Sequence, residues 1–311
     1  LIHTFHLLNV VCCIRLDTTM IDICTVGHIS LDKVVTPQSV TYMPGGTSFY
    51  FSKTLLHANI EYKLVTALAL QDHQIVDDLR ADGVDVYTLP SEHTVYFQNS
   101  YSADQNHREQ QVLRKASPFS LSLMPQLTAK VFHLGPLLSD DIPVKLIEDL
   151  ATRGLVSLDI QGYLRRVWHK RVVYEDWADK KRALPYVSIL KANESEMEVV
   201  TGRKNPREGA MYLADLGVRE VIITLGSEGS LIYTDGTFYE IPAFKPTAVV
   251  DATGCGDTYM AGYLWKRVQG SQIQEAGEFG AALATLKVGT SGPFSGSPAL
   301  VNALLGQPVY S

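Results

Sequence analysis

Six short apolar runs, at 21–26, 63–67, 130–134, 156–160, 186–191 and 220–224, recur along the chain. Amphipathic stretches at 47–57, 73–81, 143–152, 195–200 and 207–216 stand between them. Strands separated by helices cannot be joined by tight hairpins. They lie parallel, and a parallel sheet buries both faces under helices. The expected fold class is α/β, a three-layer sandwich around a mostly parallel sheet. At 311 residues the chain can bury one large core, with no need for two independent halves or a repeat array.

Two segments break the rhythm. Over 85–114, DVYTLP, TVYFQNSYS and EQQVLR read as three short strands, with aromatic and β-branched residues alternating with polar ones. Such a meander cannot serve as a crossover helix, and it is expected to form a small antiparallel flap beside the main sheet. Tyr96, Gln98 and Tyr101 are patterned to close a polar pocket, although an excursion of this kind also serves as a plain edge extension. Over 229–242, SLIYTDGTFYEIP reads as a hairpin turning at Asp235-Gly236.

A formal charge of −6 without a sustained Lys/Arg run argues against nucleic acid or an anionic membrane as partner. The four cysteines, Cys12, Cys13, Cys24 and Cys255, have neither metal-ligand spacing nor the density of a disulfide scaffold, so reduced thiols in the cytoplasm are expected. Residues 5–14 are mostly apolar but lack a basic lead and a small-residue cleavage site, and they are too few to span a bilayer. Met20 directly precedes the first strand. Residues 1–19 therefore read either as an extension ahead of a natural start or as an extra element packed on the body.

The chemistry gathers in DATGCGDTYMAGYLWKR, from Asp251 to Arg267. Gly254, Cys255 and Gly256 stand where a loop enters a helix, and Asp257 stands in the first turn. Successive N–H groups without bulky side chains form a concave anion site, and the helix dipole reinforces it. A carboxylate beside phosphate repels it, so storage of phosphate would not choose Asp257. The residue makes sense as a base that takes the proton of an attacking hydroxyl, while the amides stabilise the transferring group. The competing role is a simple helix cap.

Other loops point the same way. Asn193 and Glu196, at a strand end, could hold water around Mg²⁺, although the same spacing is a capping box. Thr224, Gly226 and Gly229 offer a second glycine turn. Neither GxxxxGK[ST] nor a GxGxxG after the first strand is present, which lowers the P-loop and dinucleotide readings together.

In that order, these residues resemble the ribokinase-like (PfkB) family of carbohydrate kinases, over roughly 21–292. The carrying residues are Asp251, Gly254, Gly256 and Asp257, then Asn193 with Glu196, Thr224 with Gly226 and Gly229, and Gly45 with Gly46. The resemblance implies a ribokinase-like sandwich over 20–311, with a small β-strand lid drawn from about 32–44 and 85–115. It implies ATP as donor and Asp257 as catalytic base, with Gly254, Cys255 and Gly256 as anion hole. It also implies that Asn193 and Glu196 organise Mg²⁺ through water, and that Asn193, Thr224, Gly226 and Gly229 meet ATP. Gly45, Gly46 and Asp32 would meet the acceptor, with Gln98 and Gln161 contributing further hydrogen bonds. A monovalent cation and a homodimer through the lid are compatible with it.

Some residues depart from the family pattern. Cys255 stands where alanine is usual. A reactive thiol at a helix N-terminus is one reading and a small residue in a tight turn the better one. GGTSFYFSK lacks the GGKGAN run of ribokinases proper, which disfavours ribose. The segment from Asp159 to Arg165 resembles the DxNxR of hexose and sugar-acid kinases, with Gln161 for Asn and altered spacing. Either Arg165 or Arg166 would clamp the transferring phosphate, and the DxQGxxR form hints at cyclitols such as inositol. The expected activity is phosphorylation of a sugar or polyol hydroxyl. A nucleoside kinase, with Phe49, Tyr50 and Phe51 near a base, and a catalytically silent sensor are the alternatives.

Overall fold

The structure, a computed structural model, describes residues 20–101 and 108–306. The readings of residues 1–19, and of Cys12 and Cys13 within them, lie outside the described residues, as does the Tyr101 side chain. The strands are β1 (Ile21–Val26), β2 (Ser30–Val35), β3 (Val40–Gly45), β4 (Tyr62–Leu68), β5 (Asp85–Pro90), β6 (Val95–Tyr101), β7 (Arg108–Arg114) and β8 (Ala129–Leu134). They continue as β9 (Leu155–Asp159), β10 (Arg165–Trp168), β11 (Arg171–Tyr174), β12 (Ile189–Asn193), β13 (Glu220–Thr224), β14 (Ser230–Thr234) and β15 (Thr237–Ile241). The helices are α1 (Thr47–Leu55), α2 (Gln74–Ala81), α3 (Val144–Leu150), α4 (Lys180–Ala183), α5 (Glu194–Thr201), α6 (Pro206–Asp215), α7 (Cys255–Val268), α8 (Ile273–Val288) and α9 (Pro298–Leu305).

The main sheet runs β15-β14-β13-β12-β9-β8-β1-β4-β5, parallel from β13 to β5. Because strand side chains alternate faces, each apolar run feeds two cores at once. Ile23, Val131, Ile189 and Ile222 pack with Phe51 of α1, Met260 and Leu264 of α7 and Leu283 of α8. Their neighbours Cys24, Phe132, Leu190 and Val221 pack on the other side with Ile147 of α3, Met197 of α5 and Leu213 of α6. This is the expected three-layer arrangement. The hairpin at Asp235 and Gly236 (φ 47° and 75°) adds β14 and β15 antiparallel to the edge. The strand expected from 186 begins at Ile189, because Pro185 starts a short 3₁₀ turn over Leu184–Tyr186.

A second sheet, ordered β10-β11-β7-β6-β2-β3, stands over the carboxyl ends of the first. Val95, Phe97 and Val112 seat it on Leu137 and Leu138, in the loop after β8. Its membership differs from expectation in two ways. Asp85–Pro90 is not lid but the outer strand of the main sheet, paired parallel with β4. Its Val86 and Leu89 are buried on opposite faces, in two different cores, and the exposed residues beside them imitate a free meander. The lid gains instead the hairpin of β10 and β11, which turns through His169 and Lys170 at φ 48° and 64°. Among the described residues, no helix is long and apolar enough to cross a membrane.

Candidate active site

Open parallel sheets present ligand sites beyond the carboxyl ends of their strands, at loops that run into helices. Here the ends of β9, β12 and β13 deliver Asp159, Asn193 and Thr224 to one cleft, β2 of the second sheet brings Asp32 to it, and the loop into α7 closes it. Gly254 takes φ 75° at the N-cap of α7, and a Cβ there would sit 2.2 Å from the Tyr50 ring. Both the backbone angle and the close approach require glycine. At Gly256 a Cβ would come within 3.0 Å of Lys191 Nζ.

The turn corrects one expectation. The Cys255 N–H donates to the Ala252 carbonyl at 3.2 Å, so it is turned into the loop rather than toward the cleft. The cleft wall is formed by Gly254, Gly256 and Asp257. Burial pushes the Cys255 thiol up to about 11, against a lowering by Lys287, so a reactive thiolate does not form here.

Asp257 lines the cleft between Thr47, Asp159, Lys191 and Arg165. Burial first, then the Asp159 charge, push its pKa up to about 6, while Lys191, a hydrogen bond with Thr47 and Arg165 act the other way. Lys191 Nζ stands 3.0 Å from Asp159 Oδ2 and 3.8 Å from Glu196 Oε2. Burial lowers the pKa of this ammonium, but Asp159, Glu196 and Asp257 outweigh it and hold the pKa above the ordinary value. Lys191 belongs to no motif of the sequence. Its signal is a lysine between Leu190 and Ala192 in a strand that is otherwise buried and apolar up to Asn193.

Asn193 and Glu196 do form the capping box: Asn193 Oδ1 accepts from Glu196 N and Glu196 Oε2 from Asn193 N, both at 2.8 Å. They also line the cleft. Among the described residues no group of three or more His, Cys, Asp or Glu side chains could enclose a metal ion. That donor set fits a Mg²⁺ carried on phosphates and touched through water, since Mg²⁺ keeps several of its waters.

On the lid side, Asp32 accepts the Ser30 hydroxyl at 2.8 Å, and a Cβ at Gly45 would strike Asp32 Oδ2 at 2.5 Å. Gly46 (φ 89°), Gln161 and Arg165 line the same cleft. The choice between the two arginines is resolved by direction: Arg165 faces the cleft, and its Nε is buried without a protein partner. Arg166 points out to Glu175 and the Trp168 ring. Gln98 does not reach the cleft, because β6 presents Phe97 and Asn99 to it and Gln98 to the other face, beside Ser100. From β6 and β7 the polar groups that line the cleft are Asn99 and its cross-strand neighbour Gln110. Gln110 Nε2 donates to Asn99 Oδ1 at 3.0 Å, and Gln110 Oε1 is buried without a partner.

Two cavities meet at this place. The polar one, about 1110 Å³, holds Asp32, Asn99, Gln110, Gln161, Arg165 and Asp257. The other, about 650 Å³, is walled by Phe244, Val249, Ala281, Ala284 and Val288 and floored by Thr224, Gly226 and Gly229. Asn193, Thr224, Ala252 and Gly256 belong to both. A model of the pfkB family carbohydrate kinases matches residues 11–300.

The chain belongs to the pfkB family of carbohydrate kinases.

Its relatives in this family are kinases, and it is a phosphotransferase, not a silent sensor. A cytidine kinase of Thermococcus kodakarensis is 30% identical over 275 residues, which is 84% of this chain and 94% of that one. A pyrophosphate-dependent kinase of the ribokinase family, solved with a pyrophosphate analogue and myo-inositol, superposes with a TM-score of 0.80 at 28% identity, over 90% of this chain and 99% of the other. A related structure is that of a pyrophosphate-dependent myo-inositol-1 kinase converted into a myo-inositol-3 kinase by two substitutions. It has a TM-score of 0.80 and 27% identity and covers 91% of this chain and 98% of its own. The pfkB fold therefore extends over the described body, lid included.

Proposed function

We propose that this kinase transfers the γ-phosphoryl group of ATP to a ring hydroxyl of a sugar or cyclitol, with Asp257 as the base. The observation that carries the proposal is the position of Asp257 beside the seam of an apolar and a polar cavity. An apolar recess of this size suits an adenine base. Pyrophosphate would need only the charged seam. In the polar cavity, Asp32, Asn99, Gln161 and Gln110, whose Oε1 is an unpaired acceptor, suit a ligand rimmed with hydroxyl donors.

The acceptor O–H gives its proton to an Asp257 Oδ as its oxygen attacks the phosphorus in line. The N–H groups of Gly256 and Asp257 and the charges of Arg165 and Lys191 offset the negative charge on the transferring group. Bound Mg²⁺ would screen the donor phosphates, and Asn193 and Glu196 would hold it through water. Thr224 and Gly226 would meet the nucleotide. Gly46 lets the acceptor lie against backbone.

A nucleoside acceptor is the second reading. It is favoured by the cytidine kinase relative and by Val34, Met43 and Phe97 on the cleft wall. One screen separates these readings: product release measured across pentoses, hexoses, inositols and nucleosides, each with ATP and with pyrophosphate. Turnover of a cyclitol or sugar with ATP is expected. Turnover restricted to nucleosides, or to pyrophosphate as donor, overturns the corresponding half of the proposal.

A further inference from the structure

Lys287, in the last turn of α8, is wholly buried, and a buried ammonium is tolerated only where oxygens replace its water. Its Nζ donates to the Asp251 carbonyl oxygen at 2.7 Å and stands 3.2 Å from Asp251 Oδ2. Asp251 opens the glycine turn, and its Oδ1 accepts the Thr253 N–H at 2.9 Å. The Val250 and Asp251 N–H groups both donate to the Val288 carbonyl, at 2.8 and 3.2 Å, so backbone and side chain fasten the same strap to the end of α8. Lys287 Nζ also lies 5.8 Å from the centre of the Tyr50 ring, against which Gly254 packs.

This arrangement bears on the monovalent cation that the family resemblance allows. A bound K⁺ at such a turn would bring one positive charge to carbonyl and carboxylate oxygens. At Asp251 the chain brings that charge itself, with the ammonium already on the carbonyl oxygen and beside Oδ2. We propose that Lys287 is a built-in cation, a positioning residue that holds the phosphate-binding turn in shape, and that this kinase turns over without a monovalent cation. Lys287 touches no reacting atom. It acts through Asp251 and the strap that leads to Gly254, Gly256 and Asp257.

The inference rests on the kinase reading of the turn, so its test has one arm that needs no turnover. Wild-type enzyme is assayed in K⁺, Na⁺ and tetramethylammonium buffers, and kcat is expected to agree among them. Lys287→Ala is expected to lose about tenfold or more in kcat, as a misplaced turn does. NH₄⁺ or K⁺ should restore part of that loss, and tetramethylammonium, too large for the vacated space, should restore none. Without substrates, amide exchange over 250–257 should be faster in Lys287→Ala than in wild type and should slow again with NH₄⁺. A wild-type enzyme activated severalfold by K⁺ overturns the proposal, whether or not the variant folds. So does a Lys287→Ala enzyme with wild-type kcat. Loss of kcat that no small cation restores, with exchange over 250–257 unchanged, overturns it as well. If exchange responds to NH₄⁺ but no acceptor is phosphorylated, the clamp stands and the kinase reading falls.

Discussion

The Asp257 carboxyl titrates at about 6 against an ordinary 3.8, because burial and the neighbouring Asp159 both oppose its charge. A raised carboxylate pKa means that the folded state holds this proton more tightly than the unfolded chain does. Stability therefore falls as pH climbs from about 3.8 to about 6, and it stays reduced above that. Asp257→Asn is expected to raise the melting temperature at pH 7 to 8, with the gain fading toward pH 4. The same change should cost about 10²–10⁴ in kcat, the usual worth of a general base. In the wild type, kcat/KM should fall on the acid side with a midpoint near 6. Turnover of the variant within a few-fold of wild type would remove Asp257 from the mechanism. Asp32→Ala tests the opposite wall: it should raise KM for the acceptor far more than KM for ATP, and equal effects would place the acceptor elsewhere. At this scale the glycine turn was legible because positive φ and contact with Tyr50 demand one residue type. Lys191 was not, since only folding reveals that Asp159, Glu196 and Asp257 converge on it.

Between residue and fold stands the lid, where strand parity decides which side chains meet the ligand. The pattern of TVYFQNSYS is compatible with either face. The register that pairs Asn99 with Gln110 turns Phe97 and Asn99 inward and Gln98 outward. Periodicity therefore announced the strand but not its orientation, because both parities mix aromatic and polar residues, Phe97 and Asn99 on one and Tyr96 and Gln98 on the other. The parallel strands of the main sheet were easier to read, since burial on both faces leaves an unbroken apolar run. The hairpin over Arg165–Trp168 and Arg171–Tyr174 was hidden by its charge, yet its parity sends Arg165 inward and Arg166 to Glu175. If the Asn99–Gln110 pair reads a ring hydroxyl, Gln110→Leu should change which hydroxyl of the accepted ring is phosphorylated, or raise KM for that acceptor, while KM for ATP stays fixed. Product analysis by phosphorus NMR checks this. An unchanged product at unchanged KM would show that the lid only covers the ring.

For the molecule as a whole, the division of labour follows from the layers. Helices α7 and α8 are packed face to face on one side of the sheet, and the apolar cavity opens beside them, between Ala281, Ala284 and Val288 of α8 and the loop through Phe244 and Val249. The lid stands at the other end of the cleft, so on the proposed reading donor and acceptor enter separate recesses, which share Asn193, Thr224, Ala252 and Gly256. Filling one recess should therefore leave the other unaffected. Ala284→Phe places a ring in the apolar cavity without altering the seam. KM for ATP should rise by about tenfold or more, the scale on which a filled pocket rejects a ligand by shape, with KM for the acceptor unchanged. Pyrophosphate, which would have no group in that recess, makes the control: any turnover it supports should be indifferent to the new side chain. An ATP KM that does not move would mean that the base lies outside the recess. In that case the apolar cavity would be a packing feature of α8, and the donor would be recognised by its phosphates alone.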